Sequence, residues 1–257
     1  MSRVIALANQ KGGVGKTTAT INLAYALSQK AQHVLAVDVD PQASLTLYFG
    51  QDPRALETQQ KTTYWGLCKD NLPLMSLVIP GNPALIPSSI QLAKAEQEFA
   101  LQWDSVSFLK EKIAPLRTQY DCILLDCPPT LTLLTINALV AADAVLIPVK
   151  TDYLSIMGIS LLIETIENVR KRLNPHLGIV GVLPTMFSAR NTHDNEALAE
   201  LHRSLEPLHI FEPITRSTWF DKSAVEGRST LEWRPDTPGV QNYYNLADYL
   251  IAYGQAA

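Results

Sequence analysis

Ten residues, Asn9-Gln10-Lys11-Gly12-Gly13-Val14-Gly15-Lys16-Thr17-Thr18, contain three glycines, two lysines and two adjacent threonines. Glycines let successive backbone N–H groups turn inward around phosphate oxygens, a lysine neutralises phosphate charge, and a neighbouring hydroxyl can bind Mg²⁺. The general phosphate-loop pattern GxxxxGK[ST] fails here by one residue, because its first glycine falls on Gln10. The chemistry survives in Gly12, Gly13 and Gly15, followed by Lys16-Thr17 at the start of a helical pattern whose positive end faces the loop. One lysine suffices for such a loop. Lys11 is a second.

Carboxylates follow at two further points. "AVDVDPQ" sets Asp38 and Asp40 two positions apart at the end of an apolar run, so that both can point into one cleft; "ILLDCPP" ends a second run in Asp126. A single aspartate in such a place reads as a helix cap or a turn. Three of them at strand ends beside a phosphate loop point to a nucleotide–metal site, with Asp126 and Thr17 on the Mg²⁺.

These groups need a frame. Apolar runs at residues 3–9, 33–38, 121–126, 144–149 and 178–183 read as buried parallel strands. Helical patterns lie near 16–30, 90–101, 105–118, 131–141, 154–173, 194–206 and 238–253. The alternation predicts an α/β fold, a mostly parallel twisted sheet with helices on both faces, as one domain over residues 1–257. Residues 50–84 carry Pro and Gly with little periodicity and read as a variable surface insertion.

Composition narrows the function. The net charge is −4, with basic and acidic side chains equal over residues 1–150 (12 each) and 9 against 13 afterwards. Global charge therefore gives no support to nucleic-acid binding, and a local patch would have to supply it. No run reaches the roughly 18 apolar residues of a membrane span, and no secretory leader is expected, since MSRVIALANQ reads as a strand running into a loop. Cys68, Cys122 and Cys127 form no CxxC pair and read as reduced thiols, so an iron–sulfur cluster is not expected.

KGGVGKTT resembles the deviant Walker A box of the ParA/MinD family of ATPases. "VDVDPQ" is similar to its Walker A′ box, "DCILLDCPPTLTLLTINALVAADAVLIPV" to its Walker B and following switch, and "LIPSSIQLA" to the ParA/Soj branch. The likeness covers roughly residues 3–185. It implies a P-loop ATPase that uses ATP and Mg²⁺ and forms a sandwich homodimer around two ATP molecules. Lys11 would be the signature lysine that reaches the partner's ATP, and Asp40 would position the attacking water. Asp38 would lie close to the metal and switch as its rival. Alignment suggests Met186 and Thr215 near the adenine.

The resemblance also implies a cytoplasmic, nucleoid-associated positioning switch. Its ATP dimer would bind DNA without sequence preference and be released by a ParB-like adaptor, or a McdB-like one if the chain is a relative of the carboxysome-positioning McdA proteins. The chain departs from the branch where Ala43-Ser44 replace Gly-Asn, where Thr215 replaces a proline, and where Trp219 replaces an arginine linked to DNA contact. Arg190, Arg216, Lys222 and Arg228 are the remaining candidates for DNA. Two other classes share the loop. A MinD-like membrane regulator needs a basic amphipathic terminal helix, and "NYYNLADYLIAYGQAA" has no Lys or Arg. A P-loop metabolic ligase or kinase needs an acceptor site, and none is conspicuous.

Overall fold

A computed structural model describes residues 2–69, 72–100, 102 and 104–253. Six strands form one sheet: β1 (Arg3–Leu7), β2 (Val34–Asp38), β3 (Ala84–Ile86), β4 (Cys122–Asp126), β5 (Ala144–Lys150) and β6 (Gly178–Thr185). All neighbours pair in parallel, in the order β3-β2-β4-β1-β5-β6. The chain runs outward from β1 on one side, returns at β4, and crosses to β5 on the other. The loop after β1 therefore opens at the point where the strand order reverses, the usual ligand crevice of such sheets.

The helices are α1 (Lys16–Ser28), α2 (Ser44–Tyr48), α3 (Pro53–Thr58), α4 (Thr63–Cys68), α5 (Leu92–Phe99), α6 (Phe108–Ile113), α7 (Leu133–Ala141), α8 (Tyr153–Met157), α9 (Ile159–Arg172), α10 (Thr192–Ser204), α11 (Thr218–Glu226), α12 (Thr230–Trp233) and α13 (Val240–Tyr253). Side chains alternate across the sheet. Val4, Ala6 and Ala8 of the first strand region pack with α4–α7, α9 and α10, whereas Ile5 and Leu7 pack with α1 and α13. Among the described residues no helix is long and apolar enough to cross a membrane.

The five expected strands are present, with β6 running two residues further, to Thr185. The long helical stretch at 154–173 divides at Gly158 into α8 and α9. The stretch at 105–118 divides into α6 and a 3₁₀ turn, Ala114–Thr118, with Pro115 at its start. Leu101, the end of the expected 90–101 helix, lies outside the described residues.

Residues 50–84 are not a surface insertion. They hold α3, α4, a 3₁₀ turn (Leu74–Leu77) and the start of the edge strand β3, and Tyr64, Leu67, Leu74 and Leu77 are buried in the core. Each short turn buries only one or two apolar side chains, so no single period builds up along the sequence.

Candidate nucleotide site

The loop between β1 and α1 has a left-handed backbone at Gly13 (φ 70°) and Gly15 (φ 81°), which an L side chain adopts only with strain. Its shape is fixed from outside. The Asn9 side chain donates to the Pro148 carbonyl (2.8 Å) and accepts from the Lys11 N–H (3.0 Å), and Gln10 donates to the Gly158 carbonyl (2.6 Å). From the end of β6, the Thr185 hydroxyl lies 2.8 Å from the Val14 carbonyl. Gly12, Gly13, Gly15, Lys16, Thr17, Thr18 and Asp40 line one cleft together with Gln42, Tyr48 and Asp221.

Lys16 is 7% exposed, and its ammonium sits 3.3 Å from the Lys11 carbonyl at the mouth of the cradle. Burial lowers its pKa, while Asp126, Cys127 and Asp40 work to raise it. A cation so desolvated gains strongly from an incoming phosphate.

Asp126 is fully buried behind Thr17. One carboxylate oxygen accepts from Thr17 Oγ1 (2.8 Å) and the other from Thr20 Oγ1 (2.9 Å). Burial raises its pKa to about 6 against those two hydrogen bonds and the charge of Lys16. A hydroxyl on the cleft wall backed by a buried carboxylate offers the hard oxygen donors that Mg²⁺ takes, so these two residues fit the metal.

Asp38 and Asp40 do not share the cleft. The rule that positions i and i+2 face the same way holds only within a strand, and β2 stops at Asp38. Asp40 lines the cleft, with its carboxylate accepting from the Gln42 N–H (2.9 Å); burial raises its pKa, opposed by that bond and by Lys16. Asp38 is fully buried. Its oxygens accept from the Asp40 N–H (3.1 Å), the Thr46 N–H (2.9 Å) and the Thr46 hydroxyl (2.7 Å). These three donors hold the carboxylate in place, so Asp38 anchors the Asp40 loop from behind the cleft wall.

Lys11 lies at the edge of the same loop, where its ammonium donates to Asp152 (3.2 Å) and Ser155 Oγ (2.8 Å) of its own chain. Lys150 contacts the other oxygen of Asp152 at 3.1 Å.

A second, more apolar pocket adjoins the cradle and is lined by Gly15, Thr18, Thr185, Met186, Ile214, Thr215, Phe220 and Tyr243. Both residues expected near adenine are therefore beside the phosphate loop. Met186 holds a left-handed conformation (φ 56°), and the next residue bridges to Thr215. Strained non-glycine residues of this kind concentrate at ligand sites. Tyr48, not anticipated from sequence, ties the two regions together through Thr18 (3.3 Å) and the Phe220 carbonyl (3.4 Å).

The DNA candidates are exposed and dispersed. Arg190 sits on the loop before α10, Arg216 at the rim of the apolar pocket, Lys222 on α11, and Arg228 just beyond its glycine cap. Cys122 and Cys127 are buried, Cys68 is half-buried, and burial pushes all three thiols up, Cys68 and Cys122 to about 12.

Residues 2–179 match a family model described as an AAA domain. The chain is 36% identical to the sporulation initiation inhibitor protein Soj of Bacillus subtilis, over 99% of this chain and 100% of the relative. It belongs to the ParA/Soj family. Among solved structures it is similar to cobyrinic acid a,c-diamide synthase from Mycobacterium smegmatis with a bound ATP analogue and magnesium (TM-score 0.86, 31% identity, 99% of this chain and 96% of the other). It is also similar to an aspartate-to-alanine variant of Cyanothece McdA in complex with ATP (TM-score 0.87, 26% identity, 97% and 96%).

Thr185 buttresses the cradle from the end of β6, two strands away from β1. Thr185→Val keeps the shape and removes the hydroxyl, leaving the buried Val14 carbonyl without that donor. The expected cost is about 1–3 kcal/mol of stability, read as a lower melting temperature of the nucleotide-free protein. An unchanged melting curve would show that the hydroxyl does not support the loop.

Proposed function

We propose that the chain is an ATP-hydrolysing positioning switch. The observation that carries this reading is the cleft itself: the glycine cradle, Lys16, Thr17 and Asp40 line one wall, with an apolar pocket of the right character for a base beside it. Gly12, Gly13, Val14, Gly15, Thr17 and Thr18 cradle the phosphates with their backbone N–H groups, and Lys16 neutralises their charge. Thr17 and Asp126 would hold Mg²⁺, which supplies further neutralisation of the phosphates. Asp40 orients a water and takes its proton as that water adds to the γ-phosphorus and the bond to ADP breaks. The M. smegmatis structure with an ATP analogue and magnesium, and the Cyanothece McdA complex with ATP, support both ligands.

In this reading ATP brings two copies face to face, and Lys11 leaves Asp152 to reach the partner's nucleotide. The dimer binds DNA without sequence preference, at the nucleoid in the cytoplasm, through surface cations such as Arg190, Arg216, Lys222 and Arg228. A ParB-like or McdB-like adaptor on a cargo stimulates hydrolysis and release. The Soj and McdA likenesses support positioning of this kind.

Retention on duplex DNA tests it. The ATP form is expected to bind any sequence and the ADP form poorly, because dimerisation joins two weak patches on one polymer. Binding should weaken steeply with salt as phosphate contacts release counterions, and Arg190→Ala should reduce it. Equal retention in ATP and ADP would remove the switch and leave an ATPase of another kind.

A further inference from the structure

The phosphate cleft and the apolar pocket beside it meet along a common wall. Four residues line both: Gly15, Thr18, Met186 and Asp221. In a nucleoside triphosphate the sugar joins the base to the phosphates, so a nucleotide that spans the two cavities sets its ribose against these four. Three of them offer little to a sugar hydroxyl. Gly15 has no side chain, Met186 is apolar, and the Thr18 hydroxyl already shares a hydrogen bond with the Tyr48 hydroxyl (3.3 Å). The fourth is a carboxylate.

Asp221 is exposed on the first turn of α11. Among the described residues its side chain accepts no hydrogen bond and pairs with no cation. Its charge is nevertheless felt inside the cleft. Burial raises the pKa of Tyr48 against its hydrogen bond with Thr18, and the negative charges of Asp221 and Asp126 add to the rise. Asp221 thus faces the place where Tyr48 ties Thr18 to the Phe220 carbonyl of α11. A free carboxylate there works against a bound polyphosphate, because like charges repel. Neighbouring sugar hydroxyls reverse that balance. An ionised carboxylate only accepts, and its two oxygens can take two O–H donors in short, charge-assisted bonds. Carboxylates hold ribose hydroxyls in dinucleotide-binding sheets by the same chemistry. The other role open to an acidic side chain in this turn is to complement the positive end of α11, which would leave the sugar unread.

We propose that Asp221 is the residue that recognises the sugar, its carboxylate accepting from the ribose hydroxyls so that the site selects ribonucleotides over analogues lacking them. This rests on the reading of the cleft as an ATP site and adds to it a determinant of sugar specificity. Asp221 stands apart from the glycine cradle, Lys16 and Asp40, so it sets which nucleotide enters and takes no part in the bond that breaks.

The test is equilibrium dialysis of the full chain with Mg²⁺ and either ATP or 2′,3′-dideoxy-ATP, which keeps the base and all three phosphates. Wild type is expected to bind ATP about tenfold more tightly, the effect of a hydrogen bond to a charged group at a site open to water. Asp221→Ala should lose about tenfold in ATP affinity and nothing for the dideoxy form, so that the preference disappears. Asp221→Asn keeps an acceptor oxygen and should retain part of it. If wild type binds the two nucleotides equally, or Asp221→Ala keeps the preference, the carboxylate does not read the sugar and the proposal is refuted. If Asp221→Ala weakens both nucleotides by one factor and lowers the melting temperature of the nucleotide-free protein, Asp221 serves the end of α11 and the proposal is likewise overturned. If wild type binds neither nucleotide, the reading of the cleft as an ATP site falls, and the sugar contact with it.

Discussion

Asp40→Ala is expected to bind ATP as wild type does and to hydrolyse it about 10²–10⁴-fold more slowly, the usual effect of removing one well-placed general base. The substitution leaves the cradle, Lys16, Thr17 and Asp126 untouched. Among the described residues the Asp40 carboxylate accepts only the Gln42 N–H, so little of the fold depends on it. Burial has already moved its pKa upward, toward the range in which a carboxylate takes a proton more readily. The dimer that ATP holds together should then persist, bound to DNA and unresponsive to its adaptor. Asp38→Ala must be measured alongside, and it should behave differently. Removing that buried carboxylate strands the Thr46 hydroxyl and the Asp40 and Thr46 N–H groups, so the expected result is a lower melting temperature, with any loss of hydrolysis following from it. Single-turnover hydrolysis with sizing on the same samples decides between them. A wild-type rate in Asp40→Ala, or failure to bind ATP, would remove Asp40 from the water.

The contrast between these two aspartates shows where sequence reading stops. The strands were legible because a parallel strand covered on both faces is a continuous apolar run, and the runs of β2 and β4 end in Asp38 and Asp126 while that of β1 leads into Asn9. The glycine loop was legible because its chemistry is local. Asp38 was not, since its direction depends on Thr46, eight residues on, and on where β2 gives way to a turn. β3 escaped because it is three residues long and bracketed by Pro83 and Pro87, so it offers neither length nor alternation. Thr185, Asp152 and Ser155 did leave a signal. They sit at or just beyond the carboxyl ends of β6 and β5, the same edge of the sheet from which Asn9, Asp38 and Asp126 were read. Extending that rule to all the strand ends would have gathered them. Tyr48 had no such signal, because packing of α2 against α11 brings it to its partners.

Lys16→Ala is expected to abolish ATP binding, whereas Lys11→Ala should bind ATP as a monomer and fail to form the ATP dimer. The two lysines differ in surroundings. Lys16 is buried at the cradle; in the proposed reading it serves its own nucleotide, and its removal would leave the phosphates facing the loop without their principal cation. Lys11 is 39% exposed at the side chain and is held away from the cleft by Asp152 and Ser155. Burial works against the ionised form of Asp152, but donors from Ser155, Lys150 and Lys11 overcome it and hold the carboxyl below the usual carboxylate range. A depressed carboxyl contributes its stability in full above about pH 4 and loses it only as the pH falls further, so the tether is intact at neutral pH. Yet a pair this exposed is worth only about 0–1 kcal/mol. Charge-assisted hydrogen bonds to the phosphates of a partner's ATP exceed that readily, and Lys150 remains to neutralise Asp152 when Lys11 departs. The lysine can therefore be parked in one state and engaged in the other at small cost. Equilibrium dialysis and light scattering with ATP on both variants separate the roles. If Lys11→Ala forms an ATP dimer of normal stability, the cross-subunit contact is wrong, and the tether to Asp152 and Ser155 is what Lys11 is for.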